Sequence, residues 1–158
     1  MAKYTAEPIP QDTLSALLTK NWISFKEMPR PEIVVANDPE DAISRFNTGD
    51  GDYIIISQGG PEIIKYRGNV QYYDRAFPLT AELYSKKDRQ RIRDMWWQFK
   101  GIIFDHLFGF QGYQIIRLKS YTEMVNGNLN IWKAEIKISV ESAGVCIDTA
   151  GDYDRYNS

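Results

Sequence analysis

Residues 88–106, DRQRIRDMWWQFKGIIFDH, constrain the fold more than any other stretch of the chain. Ile92, Met95, Trp96, Phe99, Ile103 and Leu107 recur at three- and four-residue steps, which lines them along one side of an α-helix. The opposite side carries Arg91, Asp94, Gln98 and Asp105, which are expected to face water. Asp88 has the side chain to cap the first-turn amides, and Gly109 stands just past the expected end. The adjacent Trp96 and Trp97 widen the apolar stripe, so the helix needs a broad partner. The sequence on both sides of it alternates with period two, and a sheet is therefore the expected partner. A core helix accounts for the whole stripe without any catalytic role.

Taken in order, residues 1–10 read as a loose arm with two prolines. Residues 11–21 place Leu14, Leu17 and Leu18, with Ile23 beyond, near helical spacing, and Asp12 or Thr13 is positioned to cap this short helix. Prolines at 29 and 31 bar a helix over 22–37, leaving 32–36 as an edge strand. Asp38-Pro39-Glu40-Asp41 has the chemistry of a helix start, with a helix through Phe46 and turn residues over 47–52.

Strands follow. Residues 53–57 (YIIIS) form an apolar run bounded by breakers, and 62–67 (EIIKYR) a second strand ending in a reversal at Gly68-Asn69. Residues 70–84 suit one long strand with Tyr73, Phe77, Leu79, Ala81 and Leu83 on the helix side. Arg75 shares that side awkwardly, and Pro78 demands an edge or a bulge. After the helix, 112–121 is a strand, Asn126-Gly127 a hairpin signal, and 129–142 a half-buried strand. In the last, Trp132, Ala134, Ile136, Ile138 and Val140 alternate with Lys133, Glu135, Lys137, Ser139 and Glu141. The expected fold is α+β: an antiparallel or mixed sheet, one long helix across one face, and a short N-terminal helix. One domain over 11–147 is followed by a solvated tail over 148–158.

Composition narrows the function. A chain that is 43% hydrophobic and 13% aromatic is expected to be globular. A formal charge of −2 argues against a general phosphate-binding surface. The single cysteine, Cys146, excludes an internal disulfide and suits a cytosolic setting. MAKYTAEPIP has no apolar core of a signal peptide, and no run approaches the ~20 apolar residues of a membrane span.

Reaction centres are hard to assemble from these residues. The lone histidine, His106, with Asp105 beside it, suits a helix C-terminus better than a base or a metal ligand. Cys146 has only His106 to recruit as a base. Asp50 and Asp52 flank Gly51 without the other positions of a calcium loop, and Asp148, Asp152 and Asp154 fall in the tail. Gln58-Gly59-Gly60-Pro61 lacks the spacing of a phosphate loop and reads as a turn or a subunit contact. No catalytic residue, metal or cofactor is expected. A nucleic-acid surface is the stronger alternative. Lys86, Lys87, Arg89, Arg91 and Arg93 cluster at the helix start, and Phe108, Phe110 and Tyr113 offer rings for stacking. Cations there oppose the helix dipole, so they are expected to meet acidic side chains or phosphates.

The order of elements resembles the tail-terminator (tail-completion) proteins of long-tailed phages and tailed archaeal viruses. Residues 11–21 match the family's N-terminal helix, 53–67 its strand set, 70–84 its long strand, 88–106 its crossing helix and 112–142 its closing hairpin. The QGGP segment after YIIIS and the KKDRQRI helix start add to the likeness, which covers residues 11–142 in architecture and texture. The resemblance implies a virion structural protein, assembled in the host cytoplasm into a hexameric ring on the tail tube. Its partners would be further copies of itself, the tail-tube protein and the head-side connector, with DNA only as passing cargo and no membrane. The segments assigned to contacts are Gln58, Gly59, Gly60 and Pro61, the loop with Gly109, Phe110 and Tyr113, residues 123–130 with Asn126 and Gly127, and both termini. The alternatives are another neck or tail component, or a small nucleic-acid-binding module.

Overall fold

A computed structural model describes residues 8–36, 51–67, 72–108, 110, 113, 115–126 and 131–145. They form α1 (Pro10–Asn21), β1 (Glu32–Val35), β2 (Tyr53–Gln58), β3 (Ile63–Arg67), β4 (Tyr72–Ser85), α2 (Arg89–Asp105), β5 (Ile115–Asn126) and β6 (Ile131–Val145). One sheet runs β1-β2-β4-β6-β5, and β3 also pairs with β4. Every pairing is antiparallel except β1 with β2. The chain is thus α+β, with α2 packed on the sheet and α1 beside it. The helix expected over 38–46, the Gly68-Asn69 reversal, Gly109, Gly127, Cys146 and the tail lie outside the described residues.

β4 is the spine of the sheet. One side of it pairs with β6 along its whole length, from Tyr72 opposite Val145 to Ser85 opposite Trp132. The other side is shared end to end: Leu79–Tyr84 face β2, and Tyr72–Ala76 face β3. Between those partners the chain bulges at Gly59–Glu62 opposite Phe77 and Pro78. The Gly59 amide donates to the Pro78 carbonyl at 2.9 Å. In an extended strand a residue's N and O point the same way, so Pro78 turns its missing N–H toward the bulge, where no ladder partner is needed. Gly59 permits the close approach: a Cβ there would lie 2.6 Å from Thr80 Oγ1 and 3.1 Å from the Leu79 carbonyl carbon. Gly60, at φ 154°, takes a conformation that other residues rarely adopt.

α2 is capped by Asp88, whose side chain accepts from the Arg91 amide at 2.7 Å. Ile92, Met95, Phe99 and Ile103 are completely buried against Leu79, Ala81, Leu83, Ala134, Ile136 and Val140 of the sheet. Each such side chain contributes about 1.5–3 kcal/mol by leaving water. The two tryptophans part company. Trp96 packs on the core and stacks on Tyr121, with centroids 4.5 Å apart and planes 9° from parallel, whereas Trp97 is 72% exposed. Successive helical residues point 100° apart, so the stripe holds only one of them.

α1 begins at Pro10, one residue before the sequence suggests, and Ile9 at the N-cap gives no side-chain bond. Neither Asp12 nor Thr13 caps it; the Thr13 hydroxyl donates back to the Ile9 carbonyl. Leu14 and Leu18 are buried, but Ile23 lies beyond the helix end at Trp22 and is exposed.

β5 contains a feature that alternation alone conceals. Leu118 pairs with Ile138 and Ser120 with Lys137, so Lys119 is an extra residue. A bulge of this kind shifts the parity of every residue after it. Ile116 and Leu118 face the core before it, and Tyr121 does so after it. At the hairpin, β5 runs past the expected 121 to Asn126, which pairs with Ile131, the first residue of β6, two residues later than expected. Ser139, expected on the charged outer face, is buried.

Candidate interaction surfaces

The water-facing side of α2 and the segment after α1 together make a groove of about 450 Å³. Gln98 joins them. Its carbonyl oxygen accepts from the Ile23 amide at 3.0 Å, and its amide nitrogen donates to the Ile23 carbonyl at 2.8 Å. This amide-to-backbone clasp imitates one rung of a strand ladder and holds residues 23–28 against the helix. Phe25 and Met28 then close a small turn through reciprocal backbone bonds of 3.1 Å. Ile23, Phe25, Met28, Trp97 and Ile102 supply the apolar lining, while Asp94 and Asp105 add carboxylates. Phe104 is also exposed on α2, and Phe108 on the turn that follows.

A second apolar surface stands on β3. All five of its residues are exposed, among them Ile63, Ile64 and Tyr66, each more than half exposed. β3 pairs with β4 on one side, and among the described residues nothing pairs with its other side. Grouped, exposed aromatic and branched side chains mark contact surfaces, whereas scattered ones need no explanation. An open strand edge carrying such residues is a template for another chain.

The basic cluster at the start of α2 is not a free cationic patch. Arg91, expected on the water-facing side, is buried; its Nε lies 2.5 Å from Asp52 and its guanidinium also donates to the Pro29 carbonyl. Arg89 and Arg93 both bind Glu123, at 2.7 and 3.0 Å. Burial pushes the Glu123 pKa up, but the bonds from Arg89, Tyr121 and Arg93 outweigh it and leave the carboxyl below its ordinary value. Lys87 is exposed and Lys86 half-buried. The cations at the helix start do meet acidic side chains, and these belong to the same chain.

The expected aromatic platform also dissolves. Phe110 and Tyr113 are buried, and only Phe108 projects into water. The Tyr113 amide donates to the Phe110 carbonyl at 2.7 Å. Arg75 explains where Tyr113 goes. Its guanidinium lies 5.0 Å above the Tyr113 ring and pairs with Glu62 at 2.6 Å, which satisfies a cation on the helix side of β4. Neither Phe110 nor Tyr113 is available as a contact residue in this conformation.

Gln58, Gly59 and Pro61 remain exposed, and Gln58 Nε2 donates to the Gly60 carbonyl at 2.7 Å, stiffening the bulge. Asn126 ends β5. His106 caps α2, with Nδ1 donating to the Ile102 carbonyl at 2.8 Å. Among the described residues no group of three His, Cys, Asp or Glu is placed to hold a metal, and no helix is long and apolar enough to cross a membrane. The residues that sequence reasoning missed are Ile23, Phe25, Trp97, Ile63, Ile64 and Tyr66. Their one sequence signal is on β3, where an apolar residue stands on each face, Ile63 on one and Ile64 and Tyr66 on the other. No protein-family model matches the chain, and no curated protein matches it.

Proposed function

We propose that this chain is a structural protein of a virus particle, a tail terminator whose copies close into a ring that caps the tail tube and meets the head-side connector. One observation carries the reading: two unlike apolar surfaces on different elements, an open strand edge at β3 and a groove beside α2. A protein that meets copies of itself through two different patches forms heterologous contacts, and these generate a ring when the rotation closes. The order of helices and strands, which resembles that of tail terminators, supports the same reading. A nucleic-acid-binding role has less support, because Arg89, Arg91 and Arg93 are already engaged by carboxylates of this chain.

Native mass spectrometry and negative-stain microscopy of the purified protein test the proposal, alone and after addition to tail tubes assembled from tube protein. The expected result is a closed oligomer, hexameric by resemblance, which binds tube ends. A protein that stays monomeric at high concentration and ignores tube ends overturns it.

A further inference from the structure

We propose that β3 of one copy of this chain docks into the α2 groove of the next, so that the copies associate head to tail. This rests on the ring reading above and names the two surfaces that would make the ring contact.

The two surfaces match in chemistry. β3 is exposed along its length and presents Ile64 and Tyr66 on one face and Ile63 with the cations Lys65 and Arg67 on the other, the face that docks. Ile23, Phe25 and Trp97 form the exposed apolar wall of the groove, and Asp94, Asp105, Arg91 and His106 also line it; Arg91 is buried and held by Asp52, which leaves the two carboxylates as the charges open to a partner. Among the described residues neither Asp94 nor Asp105 forms an ion pair; Asp94 only accepts from Gln90 at 3.0 Å. Lys65 likewise forms none, and Arg67 has only the solvent-exposed Asp74 at 3.2 Å. Exposed pairs of that kind contribute little and exchange readily. Docking of the face with Ile63, Lys65 and Arg67 therefore gives cations and carboxylates opposite partners while Ile63 and the apolar wall of the groove leave water.

The contrast between strand edges points the same way. β5, the opposite edge of the sheet, is interrupted by the bulge at Lys119 and carries Arg117 and Lys119, both of which discourage pairing with another chain. β3 has no bulge, and its apolar residues stay uncovered. Its charges act instead as a filter. Two β3 strands paired antiparallel about their centres would set Lys65 against its own counterpart, whereas the acidic groove attracts it.

Charge reversal tests this contact. Lys65→Glu/Arg67→Glu makes strand and groove both acidic; Asp94→Lys/Asp105→Lys makes both basic. Circular dichroism establishes that each variant is folded, and sedimentation velocity with native mass spectrometry reads the assembly. The wild type is expected to be oligomeric, and each variant alone at least tenfold weaker in association. A 1:1 mixture is expected to regain the wild-type assembly, because each strand then finds a groove of opposite charge. If both variants assemble as the wild type does, or the mixture fails to recover, the contact is overturned while the ring reading stands. A monomeric wild type overturns both.

Discussion

Arg91 on α2 and Asp52 at the start of β2 meet at 2.5 Å, although 39 residues separate them in sequence. The guanidinium is 4% exposed and the carboxylate 15%, so water solvates neither well. The pair pins the first turn of α2 to the end of the sheet, and the bond from Arg91 to the Pro29 carbonyl adds the segment ahead of β1. Removing one partner strands the other. Arg91→Ala is expected to cost roughly 3–5 kcal/mol, the range for a broken buried pair. Lys87→Ala, at an exposed site, should change stability by less than about 0.5 kcal/mol. Urea unfolding of the two variants makes the comparison.

The neighbours Trp96 and Trp97 are predicted to behave oppositely. Trp96→Ala loses the stack on Tyr121 and a share of the core, and should destabilise by about 2–4 kcal/mol, below or within the range for a fully buried aromatic. Trp97→Ala should leave the unfolding midpoint within experimental error and weaken self-association. Thermal melts and sedimentation velocity separate the two effects.

Two glycines provide a second pair of opposite signs. Gly59→Ala puts a methyl group 2.6 Å from Thr80 Oγ1, and is expected to cost about 1–3 kcal/mol as an overpacked site. Gly101, in the interior of α2, has nothing within 4 Å of an added Cβ. There Gly101→Ala should stabilise by about 0.5–1 kcal/mol, because it removes backbone freedom from the unfolded chain. Denaturant midpoints decide the signs.

Glu123 makes stability depend on pH. Its folded pKa is lowered, so its contribution is fully present above the unfolded value, about 4.3 for glutamate, and is lost as pH falls through the folded value. Arg89 and Arg93 are more than half exposed, and salt screens their share. The wild type should therefore lose more stability than Glu123→Gln between pH 6 and pH 3, and the difference should shrink in high salt. Parallel slopes for the two proteins would contradict the arrangement. The pH values here are about those that bracket an ordinary carboxylate.

The bulge at Lys119 is open to a direct test. Deleting Lys119 removes the extra residue and restores continuous pairing, with Tyr121 still opposite Ile136 and Glu123 still opposite Ala134, on the face that meets Trp96, Arg89 and Arg93. The deletion should therefore keep a cooperative melt close to that of Lys119→Ala, which also keeps the register. Near-ultraviolet circular dichroism should retain the signal of the Trp96–Tyr121 stack in both variants, and its loss on deletion would contradict the bulge.

Local sequence was enough for those features that depend on neighbours along the chain. The Asp88 cap, the buried series Ile92, Met95, Phe99 and Ile103, the alternation through β6, and the need for an edge or a bulge at Pro78 all follow from helix or strand periodicity and backbone sterics. What periodicity leaves open is which residue finds which partner across the fold. The burial of Arg91 depends on Asp52, that of Tyr113 on Arg75 and Glu62, and the inward turn of Tyr121 on one extra residue in β5. Trp97 looked like core because it adjoins Trp96, and 62–67 read only as a second strand, with nothing in it to mark an open edge. Tertiary packing left both in water, since a helix buries one stripe and a strand at the edge of a sheet lacks a second neighbour. Sequence thus determined which elements form, and the assembled structure decided which of their surfaces remain for another molecule to cover.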